Sequence, residues 1–221
     1  MNRAALAHRL TLHVLTDREW SRGRDTVTVA RAALEGGATV IQLRDKLAST
    51  RELIEQGQAL RELTRAYNAL LIVNDRVDVA VAVDADGAHV GQDDMPAPLA
   101  RQILGPQRIL GVSAGTLDEA LGAIKDGADY LGVGPIFATR GKLDAGPAIG
   151  AKLISTLAAR FPTPLVAIGG LTATNAPEII RAGAAGIAVI TAVVAADDIT
   201  AATRELLTTI QAAKQSPQAH P

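Results

Sequence analysis

The chain alternates short, mostly apolar runs with helix-length amphipathic segments along nearly its whole length, and this alternation constrains the fold most strongly. Each run is apolar throughout rather than at every second position, which is typical of strands buried on both faces of a parallel sheet. We predict eight strands, at residues 12–16, 39–43, 70–73, 87–90, 109–113, 129–133, 165–168 and 186–190. A helix follows each, at 25–34, 49–67, 77–83, 98–104, 117–126, 151–160, 176–182 and 199–214.

One type of joint recurs between helix and strand. A glycine followed by alanine stands at four of these joints, beginning at Gly37, Gly87, Gly127 and Gly183. Each glycine is expected to take the left-handed conformation that ends a helix. No GxGxxG follows the first strand, which disfavours a dinucleotide-binding sheet. The chain is therefore predicted to be an α/β protein of the (β/α)8 TIM barrel class, with residues 1–214 as a single domain and 215–221 as a disordered tail.

Composition narrows the classes of partner. The 22 Lys and Arg residues nearly balance 23 Asp and Glu, so no charge excess favours nucleic acid or an anionic membrane. There is no cysteine, which excludes thiol chemistry and fits a cytoplasmic protein. No apolar stretch approaches the ~20 residues that span a bilayer, and the first ten residues lack the apolar region of a signal peptide. Small-molecule substrates are expected, and the sequence does not indicate the oligomeric state.

Acidic side chains follow two consecutive predicted strands. Asn74 and Asp75 end the third strand, and Gln92, Asp93 and Asp94 follow the fourth. Two carboxylates at the same edge of a sheet would suit Mg²⁺, which commonly takes one or two carboxylates plus substrate phosphates. Helix capping is an alternative for the same residues, with Asp75 before helix 77–83 and Asp93 or Asp94 before Pro96.

Further polar residues lie at other strand ends, where barrels of this class place their active sites. Gln42, Arg44 and Lys46 alternate at the end of the second strand and so share one side, and Ser113 ends the fifth. No Ser/His/Asp set is apparent, and the strand residues His13 and His89 are expected to be core or helix-contact residues. This composition favours chemistry by charge neutralisation on phosphoryl or diphosphate substrates.

Two later loops add candidates for anion binding. Residues 134–147 form a glycine-rich segment with Thr139, Arg140 and Lys142, a composition suited to a mobile lid. Gly169 and Gly170 follow the seventh strand, where many barrels bind phosphate through backbone N–H groups. Tight turns also use glycine, so the pair alone is a weak signal.

Six motifs in this order resemble those of the thiamine phosphate synthase family. They are Gln-Leu-Arg-Asp-Lys at 42–46, Val-Asn-Asp-Arg-Val-Asp at 73–78, Gly-Gln-Asp-Asp at 91–94, Gly-Val-Ser at 111–113, Gly-Val-Gly-Pro-Ile-Phe at 132–137 and Ala-Ile-Gly-Gly at 167–170. The resemblance runs from about residue 12 to residue 210. It implies a transferase that joins 4-amino-2-methyl-5-hydroxymethylpyrimidine diphosphate to 4-methyl-5-(2-phosphoethyl)thiazole, releasing diphosphate and thiamine phosphate.

The resemblance also implies a role for each site residue. Asp75 and Asp94 would hold Mg²⁺ against the diphosphate, and Gln42 would help hold the pyrimidine. The residues implied to contact the diphosphate are Arg44, Lys46, Asn74, Ser113 and Lys142, of which all but Asn74 are predicted to be catalytic. The residues implied to bind the thiazole phosphate are Gly170, Val189, Ile190 and Thr191, with Thr139 nearby. In this family the bond to diphosphate breaks first, and no protein nucleophile is needed.

Two departures from the family pattern leave alternatives open. Gly115 stands where the family often has histidine, and Gly141 where it usually has threonine. Loss of the threonine hydroxyl would remove a contact worth about 1 kcal/mol. The alternatives are a thiazole tautomerase-like isomerase, which would need that histidine, and a non-catalytic regulator that binds thiamine precursors.

Overall fold

The protein forms a closed barrel of eight parallel strands in a computed structural model that describes residues 2–139 and 147–215. Each strand pairs with the next along the chain, and the eighth pairs with the first, so the predicted TIM barrel is confirmed. The strands are β1 (Leu12–Leu15), β2 (Val40–Leu43), β3 (Leu70–Asn74), β4 (Gly87–Val90), β5 (Ile109–Ala114), β6 (Tyr130–Val133), β7 (Leu165–Ile168) and β8 (Gly186–Val189).

Ten helices occur in these two described ranges. They are α1 (Arg3–Arg9), α2 (Thr26–Glu35), α3 (Thr50–Ala66), α4 (Val77–Ala82), α5 (Ala97–Leu104), α6 (Leu117–Lys125), α7 (Ala151–Arg160), α8 (Ala176–Arg181), α9 (Thr191–Val194) and α10 (Ile199–Gln215). Eight were predicted within a few residues, and α1 and α9 were not. Of the predicted tail, residue 215 ends α10 and residues 216–221 lie outside the described residues, so the prediction of disorder stays a prediction.

Five helices end in the same way. Gly37, Gly127 and Gly183 have φ of 97°, 92° and 111° in the predicted left-handed conformation, and Asn68 (53°) and Asp84 (51°) occupy the same position after α3 and α4. In each, the next N–H reaches back five residues, as Ala38 does to the carbonyl of Ala33 at 3.0 Å. The prediction for Gly87 is wrong, because Asp84 ends α4 and Gly87 already lies in β4. There a Cβ would collide with the Ile109 backbone.

The core has two layers. The larger lies between the strands and the outer helices, and the smaller fills the barrel interior. Leu6 and Leu10 belong to the interior cluster together with Val40, Leu70 and Ile109 near the strand starts. Helix α1 therefore closes the amino-terminal end of the barrel, and the opposite end is left for polar side chains. Among the described residues, no helix is long and apolar enough to cross a membrane.

Candidate active site

The carboxyl ends of the eight strands bring together most of the side chains that the sequence indicated. Gln42 is buried in β2, Asn74 is the last residue of β3, and Ser113 lies near the end of β5. Parallel pairing of successive strands places these ends around one opening, which we call the barrel mouth. Residues 140–146 lie outside the described residues, so the predicted roles of Lys142 and Gly141 stay predictions, whereas Thr139 is described.

Asp94 is close enough to Asp75 at this mouth to influence the ionisation of Asp75. Burial raises the pKa of Asp75, and a contact with Asp94 raises it further, while the Lys46 ammonium opposes both effects. Lys46 forms an ion pair with the Asp75 carboxylate. The Asp75 N–H donates to the His89 carbonyl at 2.7 Å, and the residue has a φ of 61°, which Asn and Asp tolerate better than other side chains.

The capping alternative for these carboxylates is wrong. Helix α4 has Arg76 at its N-cap and α5 has Pro96, and neither helix has a side-chain cap hydrogen bond. Asp94 instead accepts a 2.8 Å hydrogen bond from the Gly91 N–H, which closes the turn after β4. Within residues 2–139 and 147–215, no three His, Cys, Asp or Glu side chains form a metal-binding group. A cation here would need ligands from substrate or water as well.

Arg44 is held in place by a residue that sequence reasoning missed. Its guanidinium forms an ion pair with Asp17, and the two side chains are only 11% and 5% exposed. Thr16 fixes the Arg44 backbone, accepting from its N–H at 2.9 Å and donating to its carbonyl at 3.0 Å. Polar residues come directly after an apolar run at both strands: Thr16 and Asp17 at the end of β1, and Asn74 and Asp75 at the end of β3. The pattern that identified Asp75 in the sequence could therefore also have identified Asp17.

A cavity of roughly 300 Å³ lies behind Asp17, between the β1–α2 loop and α3. Asp17, Arg24 and Gln56 are among its lining residues, and none of the predicted substrate or metal ligands is. Arg24 is already engaged, since its guanidinium donates to the Val194 and Ala196 carbonyls at 2.7 and 2.8 Å. The cavity therefore does not coincide with the substrate site predicted from the sequence.

Two histidines occupy the barrel interior in different ways. His13 is fully buried, as predicted, and its burial, with a smaller contribution from His89, lowers its pKa to about 3. Neither of its ring nitrogens has a hydrogen-bond partner among the described residues. His89 was also expected to be a core or helix-contact residue, but its Nε2 lies 2.9 Å from the Ser113 Oγ and its Nδ1 lies 3.0 Å from the Tyr130 hydroxyl. It belongs to the site.

The loop after β7 presents backbone rather than side chains. Gly169 and Gly170 have φ of 100° and 65°, and a Cβ at Gly170 would come within 2.7 Å of the Ala138 carbonyl oxygen. Asn175 holds the turn, donating to the Gly170 carbonyl at 2.9 Å. β7 pairs with β8, and Thr191 opens α9 directly after β8, so both predicted phosphate-binding segments lie on neighbouring strands.

The departure at Gly115 leaves space at the mouth. The Gly115 N–H donates to the Glu119 carboxylate at 2.7 Å, and a Cβ at this position would meet nothing closer than 3.6 Å. A Cβ atom would therefore fit here without displacing its neighbours.

Comparison with known proteins gives concordant matches. A family model described as thiamine monophosphate synthase matches residues 12–193. The chain is 59% identical over 195 residues to the thiamine-phosphate synthase of Chloroflexus aurantiacus, covering 88% of this chain and 90% of that one. It is 55% identical to that of Moorella thermoacetica, covering 88% and 93%. The solved structure of thiamine phosphate pyrophosphorylase from Pyrococcus furiosus is 48% identical, with a TM-score of 0.88 over 94% of this chain and 98% of that one.

Proposed function

Since this chain belongs to the thiamine monophosphate synthase family and is a transferase, we propose that its barrel mouth joins a pyrimidine diphosphate to a thiazole phosphate. The chain matches synthases over nearly their whole length, and neither the tautomerase-like nor the regulator alternative receives support from these matches. The proposal assigns one end of the mouth to the diphosphate and the other to the thiazole phosphate.

We propose that Asp75 and Asp94 together hold one Mg²⁺. The effect of Asp94 on Asp75 fits this assignment, because a carboxylate whose pKa is raised by a neighbouring carboxylate forms, together with that neighbour, a site that a divalent cation would stabilise. When bound, Mg²⁺ would neutralise charge on the departing diphosphate. Lys46 neutralises Asp75 in the structure, and it becomes available to the diphosphate once a cation takes over that task.

Among the described residues of the mouth, Arg44 is a cation whose orientation is fixed by a buried partner. Its pairing with buried Asp17 fixes the guanidinium before substrate arrives, so little side-chain freedom is lost on binding. Lys46, Asn74, Ser113 and Lys142 complete the proposed diphosphate contacts. Buried Gln42 lies on β2 beneath this group and is assigned to the pyrimidine.

The thiazole phosphate is assigned to the other end of the mouth. Backbone N–H groups at Gly170 and at the turn formed by Val189, Ile190 and Thr191 can approach an anion closely, because no side chain stands at Gly170. Thr139, which ends the described segment after β6, is assigned to the same phosphate. The two substrates would then meet above the barrel interior.

The proposed reaction is a dissociative substitution. The carbon–oxygen bond between the pyrimidine methylene and the diphosphate breaks, and its electron pair leaves with the diphosphate. The thiazole nitrogen then donates its lone pair to the methylene carbon, forming the new carbon–nitrogen bond. The positively charged side chains of the protein hold the leaving group. The barrel wall around Gln42 keeps water away from the positively charged pyrimidine methylene until the thiazole nitrogen reaches it. No protein nucleophile takes part.

The observation that carries this proposal is the carboxylate pair beside Arg44 and Lys46 in a chain of this family. The test is an assay with both substrates and Mg²⁺ that follows diphosphate release. We expect release that requires the thiazole phosphate and Mg²⁺ and that is lost in Asp75→Asn. A protein that binds both substrates and releases no diphosphate would instead be a regulator.

A further inference from the structure

The imidazole of His89 lies in a slot that two glycines keep open. His89 and Gly111 are register partners on β4 and β5, and a Cβ at Gly111 would contact the His89 ring and the Tyr130 hydroxyl. On β6, a Cβ at Gly132 would come within 2.6 Å of the His89 Cε1. The ring therefore packs closely against the backbone of both glycines, and its two nitrogens point toward Tyr130 and Ser113.

Each ring nitrogen of His89 has a hydroxyl within hydrogen-bond distance. Nδ1 lies 3.0 Å from the Tyr130 hydroxyl and Nε2 lies 2.9 Å from the Ser113 Oγ. Tyr130 is 1% exposed, and burial raises the pKa of its phenol, so the hydroxyl keeps its proton. Ser113, in contrast, is only partly buried and lies at the mouth.

The buried Tyr130 hydroxyl determines which atom is the donor in each of the two hydrogen bonds of His89. If Nδ1 donated to Tyr130, the phenolic proton would have no acceptor, since the neighbouring His13 ring packs edge-on at 5.6 Å between centroids and has no hydrogen bond in the described structure. A buried unsatisfied O–H is costly. The Tyr130 O–H therefore donates to Nδ1, which puts the ring proton on Nε2, and Nε2–H donates to Ser113.

We propose that Tyr130 is a positioning residue, which acts through His89 to keep the hydroxyl proton of Ser113 directed into the mouth. This inference rests on the proposed function, in which Ser113 contacts the diphosphate. Diphosphate oxygens at neutral pH only accept hydrogen bonds. A Ser113 hydroxyl that donated its proton to His89 would present only lone pairs to the diphosphate and could not bind it by a hydrogen bond. The Tyr130–His89–Ser113 chain, as we call these three residues, makes Ser113 a donor before substrate arrives.

The first test is the tautomer of His89, measured by ¹⁵N NMR of the imidazole nitrogens in the full-length protein near pH 8. Signals are assigned by their loss in His89→Gln. We expect a protonated Nε2 and an unprotonated Nδ1 in the unmodified protein, and a mixture of tautomers in Tyr130→Phe. Tyr67→Phe, the same change on an exposed residue, leaves the His89 signals unchanged. A proton on Nδ1 in the unmodified protein, alone or on both nitrogens, would overturn the proposal.

The second test is kinetic. Tyr130→Phe should lower kcat/KM for the pyrimidine diphosphate by about three- to tenfold and leave KM for the thiazole phosphate unchanged. In a Ser113→Ala background, Tyr130→Phe should lower kcat/KM no further, because the Ser113 hydroxyl that Tyr130 orients is absent. An equal loss in both backgrounds would reduce Tyr130 to a packing role. The NMR result needs no activity, so failure of the proposed function and failure of this inference remain distinguishable.

Discussion

Replacing Asp75 with asparagine should make the ligand-free protein more stable and nearly inactive. In general, two like charges about 4 Å apart repel by about 4 kcal/mol at an effective dielectric constant near 20. At Asp75 the ion pair with the Lys46 ammonium opposes the repulsion from Asp94. The pKa of Asp75 is nevertheless raised, so burial and Asp94 outweigh Lys46. We therefore expect the neutral amide to gain about 1 kcal/mol, or about 2–4 °C in melting temperature for a chain of this size.

The pH dependence of this gain has a defined sign. The folded-state pKa of Asp75 lies above its ordinary value of 3.8, so ionised Asp75 lowers the free energy of unfolding. This loss of stability is fully present at a pH above the folded-state pKa and disappears at a pH below the unfolded-state pKa. The stability difference between Asp75→Asn and the unmodified protein should therefore shrink as the pH falls from 7 toward 4. Asparagine also accepts the φ of 61°, whereas Asp75→Ala adds about 1–2 kcal/mol of backbone cost.

Thermal melts and turnover are measured on the same samples. Mg²⁺ with diphosphate should stabilise the unmodified protein by mass action, and this stabilisation should be absent in Asp75→Asn. Turnover should fall by about 100-fold or more. Asp78→Asn, which removes an exposed carboxylate on α4, is the control and should retain both responses. If Asp75→Asn kept the Mg²⁺ response, or lost stability as Asp75→Ala does, the assignment of a cation to this pair would be refuted.

Three further predictions concern the anion-binding groups. Arg44→Ala should weaken diphosphate binding more than thiazole phosphate binding, which calorimetry with each ligand would show. Asp17→Asn should cost about 3 kcal/mol of stability in denaturant melts, since it leaves Arg44 buried without its partner, whereas Asp197→Asn at an exposed ion pair should cost less than about 1 kcal/mol. Gly170→Ala should raise KM for the thiazole phosphate at least about tenfold, because its Cβ meets the Ala138 carbonyl, whereas Gly105→Ala, with positive φ but open space, should affect stability alone.

The strands were predictable because both of their faces are buried, so composition alone marks them. All eight predicted runs are strands, whereas helices α1 and α9 were not predicted. Helix α1 has Leu6 as its only buried residue, and α9 has four residues. The joint at Gly87 was mistaken because asparagine and aspartate also take the left-handed conformation, as Asn68 and Asp84 do here.

Site residues were predictable where polar side chains end an apolar run, and less so inside the barrel. Asp75 and Asp94 stood out by their positions at strand ends. Only the structure showed that they are not helix N-caps. His89 looked like core because its significance depends on two glycines in later strands, which composition cannot connect with it. Asp17 carried a readable signal, but its partner Arg44 is on another strand, and only barrel closure brings the two together.

The slot around His89 also sets the order in which an engineer can alter this barrel. A larger residue at Gly132 is admissible only after the imidazole has been removed, and one at Gly111 also requires a smaller residue in place of Tyr130. Shrinking position 89 first leaves a ring-sized void between the two glycines. Libraries that randomise codons 89, 111, 130 and 132 singly would thus register each position as intolerant, while a joint library of the four would recover repacked combinations.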